Sequence, residues 1–92
     1  MRQDRAEYIA AQALEWIASD ADLLGVFMGA TGAGADDMRE RAGQPAFLAS
    51  VLDFVLLDDA WVTGFCDARA LAYETPFEAR RALPGGSDPN WT

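Results

Sequence analysis

The stretch PAFLASVLDFVLL, residues 45 to 57, limits the possible folds more than any other part of the chain. Pro45 suits the first turn of a helix, where its missing N–H costs nothing. After it come Phe47, Leu48, Val51, Leu52, Phe54, Val55, Leu56 and Leu57, with Ser50 and Asp53 as the only polar interruptions. A helix that is apolar nearly all round belongs at the centre of a fold. A β-strand is the competing assignment for VLDFVLL, but the flanking FLAS and DDAW continue a helical rather than a period-two pattern. The apolar run from Val51 to Leu57 already holds Asp53 and falls far short of the ~20 residues that a membrane span needs.

The rest of the chain supplies amphipathic helices to surround this element. Ala6, Ile9, Ala10, Ala13, Leu14 and Ile17 recur at three- and four-residue spacing and predict a helix from Gln3 to Ser19. Asp20 stands where an N-cap belongs, ahead of Leu23, Leu24, Phe27 and Met28, and Gly29 or Gly32 offers a left-handed stop. Gly34 is expected to cap a third helix, Ala35 to Ala42, with Asp36 and Asp37 in its first turn and an Asp37–Arg41 pair along its side. Asp58 or Asp59 caps a fifth helix, whose stripe of Trp61, Val62, Phe65, Cys66, Ala68 and Ala72 faces inward. Thr75, Pro76, Phe77 and Glu78 spell a capping box with proline at the first helical position, opening a sixth helix that stops at Leu83. The fold class read from these signals is all-α: a compact single-domain bundle of five to six short helices around a central apolar helix at about 45–57. Residues 1–86 form the domain, and 87–92 a polar C-terminal tail.

Composition then removes whole classes of function. The chain has 15 acidic residues against 7 basic ones, all arginine, for a net charge of −8. Such a charge repels polyanions, so direct nucleic-acid binding and anionic membranes are poor expectations. Histidine and lysine are absent. That removes the commonest general base, most zinc and haem ligation, and Schiff-base chemistry. A single cysteine, Cys66, allows no intrachain disulfide, and the opening MRQDRAEY lacks an apolar signal region, so a cytoplasmic protein is expected.

Several stretches invite a functional reading and are explained better by structure. GATGAGAD, residues 29 to 36, resembles a phosphate-binding loop, yet it matches neither the Walker nor the dinucleotide spacing. Asp36 and Asp37 would also repel an anion at the following helix start. Asp20, Asp22, Asp36, Asp37, Asp58, Asp59 and Glu78 all fall in predicted first turns, where the helix dipole and free N–H groups favour them. Asp53 is expected to share a solvated strip with Ser50, or, if buried, to pair with an arginine. Cys66 on an apolar stripe reads as a small core residue, with Arg69 the only nearby cation to activate it.

The runs RAGQPAFLASVLDFVLLDDAWVTGFCDARAL, QALEWIASDADLLGVFMGATG and RALPGG resemble a small bacterial family of about this length, catalogued as a domain of unknown function. The resemblance covers almost the whole chain. It implies an all-helical, single-domain cytoplasmic protein and brings no assigned activity or functional residues.

The function expected is a non-enzymatic module with an acidic surface that binds a protein partner or a second copy of itself, with no cofactor. Trp61 and Phe65, one turn apart, read as core, and Trp91 either folds back over the bundle or anchors a partner; these three are the candidate partner contacts, because aromatic anchors are over-represented at interfaces. One alternative is a carboxylate-based metal or enzymatic site drawn from Asp20, Asp22, Asp36, Asp37, Asp53, Asp58 and Asp59. Another is an acidic mimic that occupies a nucleic-acid-binding surface.

Overall fold

The first helix, α1 (Gln3–Ala18), buries a stripe of three alanines and two isoleucines, Ala6, Ile9, Ala10, Ala13 and Ile17. Small side chains at this spacing let neighbouring backbones come close, and α1 accordingly packs against three other helices. The computed structural model describes residues 1–84 and holds six helices: α1, α2 (Ala21–Thr31), α3 (Ala35–Arg41), α4 (Pro45–Val55), α5 (Asp59–Arg69) and α6 (Thr75–Ala82). The molecule is all-helical, with no strand among the described residues.

Two helices share the centre. α1 lies against α2, α4 and α6, while α4 also meets α5 and α6. α4 buries Phe47, Leu48, Ala49, Val51, Leu52, Phe54 and Val55. With Leu23 and Phe27 of α2, Phe65 and Cys66 of α5, and Ala79 of α6 and Leu83 just after it, these residues make one continuous core. No charged or polar side chain is buried in it among the described residues. α5 reaches α1 through Trp16, whose ring lies 5.9 Å from that of Phe65. At Gly64 an added Cβ would stand 3.0 Å from the Trp16 ring, so the absence of a side chain there permits the approach.

Most helix ends follow the local chemistry. Asp20 Oδ1 accepts from the amides of Asp22 and Leu23, and Gly32 closes α2 at φ 73°, a left-handed conformation that glycine adopts without steric cost. Gly29, the other candidate stop, stays inside the helix. Asp58 Oδ1 accepts from the Ala60 amide at 2.8 Å.

Three helix ends and one ion pair depart from expectation, each for a local reason. α4 ends at Val55 rather than Leu57, because Asp58 takes up the extended backbone of an N-cap (φ −140°, ψ 121°) and the chain must leave the helix first. Leu57 is thereby turned outward and is 75% exposed. α5 stops at Arg69, short of Ala72, because Ala70 adopts φ 55°, and the amides of Ala70 and Leu71 both turn back to the Cys66 carbonyl. Ala72, beyond the helix, is consequently exposed, and Ala68, inside it, also faces outward rather than lying on the buried stripe. The Thr75 capping box does not form. The Thr75 amide bonds the Ala72 carbonyl in a tight turn, which makes Glu74 the helical entry residue and sends the Glu78 amide to the Glu74 carbonyl. In α3, Asp37 bends back to accept from the Gly34 amide at 3.1 Å, and the helix's ion pair joins Arg39 to Asp36 at 3.4 Å instead of Asp37 to Arg41.

Candidate functional site

α4 carries two kinds of surface. Ala46, Ser50, Asp53 and Leu57 follow one another at four-, three- and four-residue spacing, so they line a single face of the helix and its exit turn. Beside that face run the end of α2, with Ala30 and Thr31, then Ala33, the end of α3 at Arg41, and Gln44, the N-cap of α4. Together they enclose an open groove of about 530 Å³.

The floor of the groove is aromatic. Phe47 and Phe54, seven residues apart on α4, both meet the buried Phe27 ring of α2 in a T-shaped arrangement, at centroid distances of 6.1 and 5.1 Å. Phe54 then stacks on Trp61 of α5 at 4.5 Å and 19°. Contacts of this kind add about 0.5–1.5 kcal/mol each beyond the area they bury. A row of four rings thus braces the groove from α2 through α4 to α5. The upper wall is fixed by Thr31, whose hydroxyl donates to the Phe27 carbonyl at 2.8 Å and accepts from the Ala33 amide at 3.3 Å. Gly32 makes that turn possible.

Two polar groups on the α4 face of the groove, Ser50 and Asp53, are engaged with their surroundings. The Ser50 hydroxyl donates to the Phe47 carbonyl at 2.6 Å. Asp53 Oδ1 accepts from Arg80 Nε of α6 at 2.6 Å, and the same guanidinium donates through Nη1 to the Pro84 carbonyl at 3.4 Å. The Asp53 side chain is 57% exposed while that of Arg80 is only 17% exposed. Asp53 therefore lies on the solvated strip with Ser50, as the first of the two expectations has it, and an arginine partners it there without burial. A carboxylate this exposed contributes about 0–1 kcal/mol through such a pair, so its role is to set geometry more than stability.

The aromatic candidates separate into different environments. Trp61 is half-buried and joins the groove's floor through Phe54, whereas Phe65 is wholly enclosed between α1 and α5 and presents no surface. Trp91 lies outside the described residues. Cys66 is buried and donates its thiol to the Ala72 carbonyl at 3.4 Å. Burial pushes this thiol above its usual range, and the charges of Asp67 and Glu74 push it the same way, which suppresses the nucleophilic thiolate. Arg69, the cation that could have countered this, is drawn to Glu15 of α1 at 3.2 Å.

The carboxylates stand apart from one another. Asp20 and Asp22 open α2, Asp36 and Asp37 open α3, and Asp58 and Asp59 open α5. Among the described residues no three of His, Cys, Asp and Glu come together in a way that could hold a metal ion. Also among them, no helix is long and apolar enough to cross a membrane.

Sequence reasoning missed most of the groove because its walls come from three helices. The signal that could have pointed there was the break in α4's apolar surface at Ser50 and Asp53, which marks the face that no other helix covers. Residues 3–86 match a family model described as "Protein of unknown function (DUF3572)". Comparison with curated proteins and with solved structures finds no match.

Proposed function

The chain belongs to this family of proteins of unknown function, and we propose that it acts as a non-enzymatic interaction module whose docking surface is the groove between α2, α3 and α4. The observation that carries this reading is Leu57: a large aliphatic side chain, 75% exposed, at the rim of an apolar groove floored by Phe47 and Phe54. Covering such a side chain is favourable by about 1.5–3 kcal/mol, more than most single surface contacts provide. The aromatic row behind it makes the floor rigid, so little ordering cost arises on binding.

Charge selects the partner. The chain carries −8, and Asp58 and Asp59 directly follow Leu57. Two copies of this chain repel each other, whereas a protein segment presenting an apolar side chain flanked by arginine or lysine is attracted and steered. The occupant proposed is therefore a basic segment of a different protein, held by apolar contact with Leu57 and Phe54 and oriented by Asp58 and Asp59 beside Leu57, at the end of the groove away from Arg41. The commitment of Ser50 to the Phe47 carbonyl and of Asp53 to Arg80 favours binding over catalysis, since neither is paired with a general base.

The test is affinity capture with the wild-type chain and with Leu57→Asp, each in low salt and in 0.5 M NaCl. The expected result is a stoichiometric basic protein retained by the wild type in low salt, released by salt and not retained by Leu57→Asp. Retention of the same proteins by both forms would overturn the reading.

A further inference from the structure

We propose that the groove fixes the direction of its occupant: the partner segment lays its basic residues over Asp58 and Asp59 and brings an acidic side chain to Arg41 at the opposite end, with apolar residues between. This rests on the reading of the groove as a docking surface and adds the order of charges that the partner segment must carry. Arg41 is thereby a specificity-determining residue.

The two ends of the groove carry opposite charge, and its middle is compensated. At the entry to α4 the Gln44 amide donates to the Arg41 carbonyl at 2.8 Å, which holds Arg41 beside the start of that helix. Asp37, one turn earlier in α3, stands at the spacing of an ion pair with Arg41, but its carboxylate turns back to the Gly34 amide at 3.1 Å. Among the described residues no carboxylate pairs with Arg41, and no other basic residue lines the groove. Midway along, Asp53 is matched by Arg80 at 2.6 Å. At the far end Asp58 and Asp59 follow Leu57, and both are exposed.

Distance keeps the two ends independent. Phe54 follows Ala46 by eight residues of α4, about 12 Å of helix axis. Arg41 stands before this stretch and Asp58 after it, so their charges are further apart than the roughly 8 Å over which physiological salt screens exposed groups. Each end therefore attracts its own counter-charge. A segment that is basic throughout gains at Asp58 and Asp59 but is repelled at Arg41, whereas one that runs acid, apolar, base gains at both.

The experiment measures, by fluorescence anisotropy in low salt, the affinity of two labelled peptides of about fifteen residues, long enough to span the groove whether extended or helical. Both have a leucine-containing centre and an arginine pair at one end; the other end carries two glutamates in one peptide and two arginines in the other. Arg41→Glu should lower affinity for the glutamate peptide relative to the arginine peptide by about two- to fivefold more than Arg81→Glu does. Arg81→Glu makes the same change in net charge on α6, away from the groove lining. Arg41→Gln should fall between the wild type and Arg41→Glu, and Leu57→Asp should weaken both peptides. Equal effects of Arg41→Glu and Arg81→Glu, with Leu57→Asp still weakening both peptides, would overturn the charge order and leave the docking surface standing. Binding that Leu57→Asp leaves unchanged, or no binding of either peptide, would overturn the docking surface and the charge order with it.

Discussion

The two faces of α4 differ in residue supply and in fate. On one, Leu48, Val51, Leu52 and Val55 are at most 3% exposed and meet the alanine stripe of α1 and the inner side of α6. On the other, Ala46, Ser50, Asp53 and Leu57 border a groove, and Leu57 stands in the open. Ser50 and Asp53 mark the side of α4 left open, but polarity alone does not leave Leu57 exposed there. The number of helices available to cover it does, and a small domain cannot cover a helix that is apolar all round. The surplus is left as a surface, and a rigid apolar surface beside scattered charge is what recognition uses.

The contrast between the faces is open to measurement. Leu52→Ala, on the covered face, should cost about 2–5 kcal/mol in denaturant unfolding, because it removes side-chain packing at a site with no exposure. A loss below 1 kcal/mol would mean that the covered face is not the stability core. At the far end of α5, Ala70 holds the left-handed conformation that Gly32 holds at the end of α2. Ala70→Gly should therefore raise stability by about 0.5–1 kcal/mol, the steric relief exceeding the entropy that glycine adds to the unfolded chain. On the groove face, Asp53→Asn should lower stability by about 0–1 kcal/mol, and less in high salt, since the carboxylate is exposed.

A pH effect follows from Cys66. Its pKa is raised above the usual value of 9.0, so the folded state favours the neutral thiol relative to the unfolded chain. That stability is fully present below about pH 9 and is lost as pH rises through the folded value. Tyr73 acts in the same direction, because its hydroxyl donates to Asp67 at 2.8 Å and its pKa is also raised. Unfolding measured from pH 8 to 10.5 should show declining stability, and Cys66→Ala should make the decline shallower. An unchanged slope in Cys66→Ala would show that the thiol does not contribute. The smallest effect belongs to the groove rim, where Leu57→Ala should change stability by no more than about 0.5 kcal/mol.

What was legible in the sequence and what was not divide along local and tertiary lines. Asp20, Gly32, Gly34 and Pro45 act through groups within four residues, and each stands where the local chemistry places it. The inward stripe of α1 was readable because its period is helical and its neighbours are polar. The end of α4 was not, because the apolar run continues through Leu57 while the backbone obeys the cap at Asp58. Ala70 could not be anticipated either, since no glycine announces its left-handed turn. The Thr75 box failed because the turn from Ala72 to Thr75 supplied a competing bond for the Thr75 amide. The groove is the furthest from the sequence: Ala30, Arg41 and Leu57 become neighbours only when α2, α3 and α4 are packed.

The most direct measurement places a photoreactive leucine analogue at position 57 and, separately, a photoreactive residue at position 8, where Tyr8 is also exposed on α1. On irradiation in native lysate at low salt, position 57 is predicted to give one discrete adduct with another protein, absent in 0.5 M NaCl, and position 8 is predicted not to give it. No protein adduct from position 57, or the same adduct from both positions, would contradict the claim that the uncovered face of α4 is the recognition surface.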